Sequence, residues 1–389
     1  MSADRSSKML PPASALCRRT VLQFAASSAA AGLGLPAMAQ STGSRVIRIG
    51  TTFDNSGVEK ANGSGLFLGS SAYFDALNKA GGINGSKVEL VMKDDGFKPD
   101  VSKANALALA EDPAVLAILH PLGTRQTAAV IDAVPGLAVV GPNTGTVALR
   151  KKPSPNAFWV RANYDQEIER LVAQAASVGQ TRIGLVHPKD PLGQSLLAGF
   201  TAAMARHKIE PVVIATTPGT TSMEVDPAAK EIAKASPQIV IVGLAGTAAA
   251  FIKALRAAGG NSTIYGISIS AGSIFGMGDQ AHGVGFSIPV LSPFAARSEL
   301  VRRYQADMLA AGHKTFSLSS MEGYVDACVL AEGMRRAGSS LNRASLIAGL
   351  ERIEGWDAGG MRFNFSRGNH EGSTFVDVAI IGGGGRLLT

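Results

Sequence analysis

From residue 46 onward, short apolar runs alternate with segments whose apolar positions recur every third or fourth residue. The strand-like runs fall at 46–52, 88–92, 115–119 and 137–140, and the helical patterns between them at 63–79, 98–111 and 123–133. Parallel strands need a crossover, and a helix supplies it, so this alternation predicts a parallel sheet with helices on both faces. A basic, proline-containing break, Arg150-Lys151-Lys152-Pro153-Ser154-Pro155, interrupts the pattern. It restarts with a strand at 157–161 and continues through helices 165–178, 193–206, 226–235 and 247–258 and strands 182–187, 211–215, 239–243 and 263–269. A second α/β unit of similar size is the expectation. The remainder does not begin a third unit: a strand at 285–290, helices at 298–311 and 319–336, and terminal strands at 361–365 and 375–381.

The run Asn78-Lys79-Ala80-Gly81-Gly82-Ile83-Asn84-Gly85-Ser86-Lys87-Val88-Glu89-Leu90 joins the first helix to the second strand. Phe67, Leu68, Phe74 and Leu77 give the helix its apolar positions, Gly81 and Gly82 supply a left-handed stop that other residues resist, and Asn84-Gly85 turns the chain. With Asp94-Asp95-Gly96 after it, this segment resembles the first βαβ unit of the branched-chain amino-acid family of ABC-transporter substrate-binding proteins. The resemblance runs from residue 46 to the C-terminus. It implies the α/β, type I periplasmic binding protein fold: two doubly wound parallel-sheet lobes joined by a three-crossing hinge. It also places the crossings near 158–161, 287–293 and 354–357. Residues 45–160 plus 288–355 would then form the first lobe, and 161–287 plus 356–389 the second.

Residues 1–39 read as an export signal, outside the fold. Arg18-Arg19 stand directly before a mildly apolar run at 21–35, and Ala37-Met38-Ala39 offers a small-residue cleavage site. Twin arginine before a weakly apolar stretch points to Tat export, while Gln23 and Val21 depart from the usual pattern and keep Sec export open. The run is shorter than the ~20 residues of a membrane span. Cleavage removes Arg5, Lys8, Arg18 and Arg19 against Asp4, so the formal charge of +7 becomes milder still, too mild to suggest nucleic acid. Of two cysteines only Cys328 survives processing, which excludes an intrachain disulfide in the mature protein. Hydrophobic residues make up 46% of the chain, enough for a core in each unit, so stability rests on packing. A soluble, periplasmic monomer is the expectation.

In open parallel sheets ligands bind beyond the carboxyl ends of strands, where helix N-termini present free N–H groups. Two such loops here are rich in hydroxyl and glycine: His120-Pro121-Leu122-Gly123-Thr124-Arg125-Gln126-Thr127 and Gly141-Pro142-Asn143-Thr144-Gly145-Thr146. In the resembled family these loops hold the ligand carboxylate, which assigns Gly123, Thr124, Asn143, Thr144 and Gly145 to the site. Plain N-capping is the structural alternative for both threonines. Charge-assisted hydrogen bonds of about 1.5–3 kcal/mol each could together support a micromolar complex, which requires about 8 kcal/mol. The resemblance adds Asn62 from the first loop and Tyr164 at the start of the second lobe, with Arg161 as a hinge tie. In the second lobe, the loop at 187–193 contributes Asp190, and the loop after strand 263–269 contributes Ser268 and Ser270. Amino-acid binders of the family carry a glutamate in that last loop to meet the ligand ammonium; Ser268 and Ser270 stand there instead. A small carboxylate without an obligatory amine is therefore the first expectation, and an amino acid the second.

No cofactor or metal is expected. Asn62-Gly63-Ser64-Gly65 and Gly276-Met277-Gly278 are fragments of a dinucleotide loop without its full spacing and read as flexible loops, and no GxxxxGK[ST] sequence is present. Asp94-Asp95-Gly96-Phe97-Lys98-Pro99-Asp100 lacks the acidic ligand at the twelfth position of a calcium loop and reads as a solvated turn. The six histidines show no metal-ligand spacing, and Cys328 sits in an apolar pattern as a buried thiol. No catalytic motif is recognisable, so an enzyme is not expected. The resemblance implies a small-molecule ligand, an inner-membrane permease and cytoplasmic ATPases as partners. An exported sensory protein and a cofactor-dependent oxidoreductase are the readings from other classes.

Overall fold

The double glycine stops the first helix as its sequence requires. Gly81 and Gly82 take φ of 104° and 73°, Asn84 and Gly85 take 49° and 78°, and a β-carbon on Gly82 would lie 2.0 Å from the Ser86 carbonyl oxygen. The turn between them is closed by paired backbone bonds joining Ile83 and Ser86. The computed structural model describes residues 46–383 and 387–389; the reading of residues 1–39 as an export signal lies outside these.

The first sheet is built from β1 (Ile47–Phe53), β2 (Val88–Asp94), β3 (Val115–Leu119), β4 (Ala138–Val140) and β5 (Ala157–Phe158), all parallel, in the order β2-β1-β3-β4-β5. Its connections are α1 (Lys60–Lys79), α2 (Pro99–Glu111), α3 (Thr124–Ala133) and the short α4 (Val147–Lys151). The chain then crosses to a second lobe with α5 (Tyr164–Ser177), β6 (Ile183–Pro188), α6 (Pro191–Arg206), β7 (Val213–Thr217) and α7 (Asp226–Ala235). That lobe continues with β8 (Ile239–Val242), α8 (Ala248–Ala257), β9 (Thr263–Gly266), α9 (Ala271–Phe275) and β10 (Gly285–Ile288). It returns to the first lobe as α10 (Glu299–Ala310), α11 (Leu318–Ala337) and α12 (Arg343–Leu350), then a small antiparallel pair, β11 (Trp356–Asp357) and β12 (Arg362–Phe363). Finally β13 (Asp377–Ile381) and β14 (Leu387–Leu388) add antiparallel strands to the second sheet, whose order is β14-β13-β10-β9-β8-β6-β7. No described helix is long and apolar enough to cross a membrane.

The third crossing lies further along the chain than the 354–357 expected. The β11–β12 pair stays on the first lobe, where the Gly359 carbonyl accepts from the Leu300 amide at 2.9 Å and the Ala358 carbonyl from Arg303 at 3.2 Å. Residues 365–372 then run beside the end of the first sheet: Trp159 donates to the His370 carbonyl and Gly372 to the Trp159 carbonyl, each at 2.8 Å. Phe365 meets Phe158 edge-on at 5.6 Å in the buried core, and this apolar contact holds the segment there. The passage to the second lobe therefore falls between Gly372 and Asp377, and 356–372 belong with the first lobe.

Asn62-Gly63-Ser64-Gly65 is not a loop but the first turn of α1. Gly63 lies against the Asp54 carbonyl, while Gly65, with Gly69, brings α1 against α11: a β-carbon on Gly69 would lie 1.8 Å from the Ser320 carbonyl oxygen, and one on Gly323 2.0 Å from that of Leu66. Likewise the acidic turn after β2 is not solvated throughout, because Asp95 is buried and accepts from Thr52, Ser102 and the Phe97 amide. The strand expected at 263–269 ends at Gly266. Beyond it Ser270 donates to the carbonyls of Val242 and Leu244, at 3.0 and 2.6 Å, and draws the chain into a tight turn.

Candidate ligand-binding site

On the first lobe the site begins where β3 leaves the sheet. Gly123 takes φ of 99°, a conformation that favours glycine, and opens α3 so that the amides of Thr124, Arg125 and Gln126 form its free N-terminal edge. Thr124 Oγ1 lies 3.0 Å from Thr144 Oγ1 and 2.8 Å from Thr146 Oγ1, and the last two are 3.0 Å apart. Within this buried triangle each hydroxyl has a partner, and Thr124 is the corner that faces the cleft. The two loops are held in register by backbone bonds: the Gly123 amide to the Asn143 carbonyl at 3.3 Å, and the Asn143 amide to the Pro121 carbonyl at 2.9 Å. Gln126 donates to the Phe97 carbonyl at 2.6 Å, which fixes the turn after β2 beside the same opening.

On the second lobe Tyr164 begins α5. Its amide donates to the Gly145 carbonyl at 2.8 Å, and its ring fills the space a side chain on Gly145 would need. Burial raises its phenol to about 12, so it enters the site as a neutral hydroxyl. Asp190 caps α6: one oxygen accepts from the Gly193 amide at 3.2 Å, the other from the Thr220 amide at 2.8 Å and from the Thr220 hydroxyl. Its carboxylate is thus largely committed to holding the 218–221 turn.

These elements enclose a cavity of about 290 Å³ between the lobes. Of the residues read from the sequence, it brings together Gly123, Thr124, Tyr164 and Asp190. Arg125 and Lys189 add positive charge from exposed positions, and Phe97, Leu192, Pro218, Ala245 and Ile269 give it apolar walls. Thr144 and Gly145 stand one layer behind, supporting Thr124 and Tyr164. Asn62, Asn143, Ser268 and Ser270 do not line the cavity. Asn143 donates to Glu322 at 2.6 Å, and Ser270 closes the turn after β9.

Asn62 belongs instead to a seam joining the lobes. It donates to Glu59 at 2.8 Å and to the Ile269 carbonyl at 3.2 Å, while Glu59 also accepts from the Gly246 amide across the cleft. Glu59 is fully buried, and burial raises its carboxyl to about 7 despite the bonds from Asn62 and Gly246; the Asp54 charge pushes in the same direction. Ser268 belongs to a second buried cluster at the first crossing. Arg161 donates to Glu167, to Ser268 and, at 3.2 Å, to Glu322, so it ties α5 of the second lobe to α11 of the first. Burial alone would lower the guanidinium, but Glu322 and Glu167 outweigh it and keep Arg161 charged. Burial raises Glu322, which shares its one cation with Glu167. The tie read at Arg161 is therefore present, with carboxylate partners that no local motif announced. Among the described residues no acidic, histidine or cysteine cluster could hold a metal ion.

The family profile described as periplasmic binding protein matches residues 46–385. The chain belongs to this family. Two curated relatives are each 25% identical to it: an amino acid binding protein of Pseudomonas aeruginosa, over 51% of this chain and 52% of that protein, and a Leu/Ile/Val-binding protein of Rhizobium johnstonii, over 78% and 83%. The chain thus spans about half the length of the first of these. Among solved structures, a substrate-binding periplasmic protein from Ralstonia solanacearum is 28% identical with a TM-score of 0.81, covering 88% of this chain and 99% of that one. A branched-chain amino-acid ABC transporter protein from Thermus thermophilus with bound valine is 15% identical over 89% of this chain and 95% of that one, with a TM-score of 0.79. One from R. palustris in complex with benzoate is 18% identical over 88% and 94%, with a TM-score of 0.77; these last two likenesses concern the fold alone. The fold is the type I periplasmic binding protein fold, in a family of solute-binding proteins.

Proposed function

We propose that this periplasmic binding protein is the extracytoplasmic receptor of an ABC importer and closes its lobes on a small carboxylate that carries no obligatory amine. The observation behind this reading is the charge balance of the cleft. The α3 N-terminus and Thr124 hydroxyl face the cavity with Arg125 and Lys189 beside it, whereas the lining carboxylate, Asp190, is committed to Thr220 and Gly193. An anion gains free N–H groups and positive charge there; an ammonium finds no uncommitted countercharge in that lining. Cavity size favours a compact solute, and the apolar walls favour an aliphatic or aromatic body. Ligand held by both lobes stabilises the closed form, the form a permease would read, and the protein itself performs no chemistry. The permease and its ATPases are partners implied by family membership.

The names of the two curated relatives favour a second reading, an amino-acid receptor, in which the ammonium would be met by rearrangement around Asp190. A thermal-shift screen of the purified protein separates the two. Carboxylates, amino acids, hydroxy acids, amides and sugars are compared; a solute at a hundred times its dissociation constant adds about 2.7 kcal/mol of stability, a clear rise in melting temperature. The proposal expects that rise from carboxylates and its weakening in Thr124→Val. A rise confined to leucine, valine or other amino acids would replace it with the second reading.

A further inference from the structure

Beside the end of the first sheet, where residues 150–159 run against 367–371, the structure holds a second polar cavity of about 350 Å³. Arg150, at the end of α4, is its buried floor. Its side chain is 1% exposed; the guanidinium donates to the carbonyls of Arg161 and Ala162 at 3.1 and 3.3 Å and to Glu371 at 3.1 Å, and it lies 4.9 Å over the Trp159 ring. Its Nε is buried and has no acceptor. The one carboxylate paired with it, Glu371, is 41% exposed, so solvent screens that charge while Arg150 is out of water. Burial lowers Arg150 to about 10, the direction expected of a cation short of compensation.

The rest of the lining deepens the imbalance. Lys151 and Arg367 open into the cavity from exposed positions, and among the described residues neither has a carboxylate within ion-pair distance; Asp165 feels Lys151 only at longer range. Lys152 is already paired with Asp132 at 2.6 Å, and the two ring nitrogens of His370 face the Ala157 carbonyl and Glu351. Ser154 adds a hydroxyl to the wall. We propose that this cavity is a binding site for a phosphate oxyanion, free or carried on a lipid headgroup, with Lys151 and Arg367 as its principal ligands above the buried Arg150. A tetrahedral oxyanion, with several acceptor oxygens, suits convergent cationic donors and supplies negative charge that the buried guanidinium lacks. It competes with Glu371 for the same cation. Because Arg150 holds the carbonyls of Arg161 and Ala162, at the first crossing, together with Glu371, which precedes the third, an occupant here bears on the first crossing.

The test is calorimetric titration of inorganic phosphate into the purified protein at constant ionic strength, with flotation on phosphatidylglycerol and phosphatidylcholine vesicles in parallel. The proposal expects one phosphate per chain, or binding to the anionic vesicles alone if the headgroup is the source. It also expects at least a tenfold loss in Lys151→Ala/Arg367→Ala and a severalfold gain in Glu371→Gln. Lys230→Ala/Lys234→Ala, on exposed positions of α7, serves as the control and keeps full binding. Absence of both phosphate and anionic-vesicle binding overturns the site, as does an equal loss in the control. Glu371→Gln without a gain overturns the competition with Glu371.

Discussion

Thr124 illustrates how one hydroxyl acquires a role from its neighbours. Thr144 and Thr146 satisfy it from behind, so its position is fixed before any ligand arrives, and it faces the cavity at the mouth of α3. Thr124→Val keeps the shape and removes the bond, which predicts an affinity loss of about tenfold, the equivalent of roughly 1.4 kcal/mol, in calorimetric titration with the bound solute. Glu59 makes a prediction in pH. Its carboxyl is raised to about 7 in the folded protein, first by burial, so the protonated form is the one the seam favours. Its contribution is therefore complete below the ordinary carboxylate value near 4.5 and is lost as pH rises through about 7, by an amount on the order of 3 kcal/mol. Unfolding free energies of wild type and Glu59→Gln measured between pH 4.5 and 8 should diverge with this sign; parallel curves would mean that Glu59 is hydrated. The seam was hidden from a sequence reading because Asn62 meets Ile269, 207 positions away, and nothing near Asn62 names that partner.

Elements divide by the same criterion. Stops and strand-end loops are local, so Gly81-Gly82, Asn84-Gly85 and the Gly123-Thr124 opening of α3 were legible from residue type alone. Gly65, Gly69 and Gly323 were not, because their purpose is the close approach of α1 to α11, and only the packed helices show it. Gly69→Ala drives a methyl group into the Ser320 carbonyl and should destabilise the protein by about 1–3 kcal/mol in urea unfolding, although alanine is the better helix former in isolation. Strand ends were legible only where a turn residue marked them. Ser270 bends the chain through carbonyls of Val242 and Leu244, and that tertiary bond, absent from any local pattern, shortened β9.

At the scale of the whole molecule, two α/β units followed from the alternation of runs, whereas the route of the chain between them did not. The first lobe keeps 356–372 because Phe363 and Phe365 are buried in its core and His370 stacks on Phe158 at 4.1 Å, choices that depend on which surface is free once both sheets exist. A buried ionic tie between the lobes runs through Arg161. Arg161→Met would leave Glu167 and Glu322 buried without their cation, with an expected cost of about 3–5 kcal/mol in denaturant unfolding; Glu322→Gln, which removes one carboxylate and keeps its hydrogen-bonding atoms, should cost less. Closure over a carboxylate is the central claim, and matched pairs of solutes test it most directly. Calorimetric titrations would compare each carboxylate with its α-amino counterpart, for example 3-phenylpropanoate with phenylalanine and 4-methylpentanoate with leucine. The cleft as described predicts that within a binding pair the plain carboxylate is at least tenfold tighter; tighter binding of the amino acid in every pair, or no binding by any carboxylate, would contradict it.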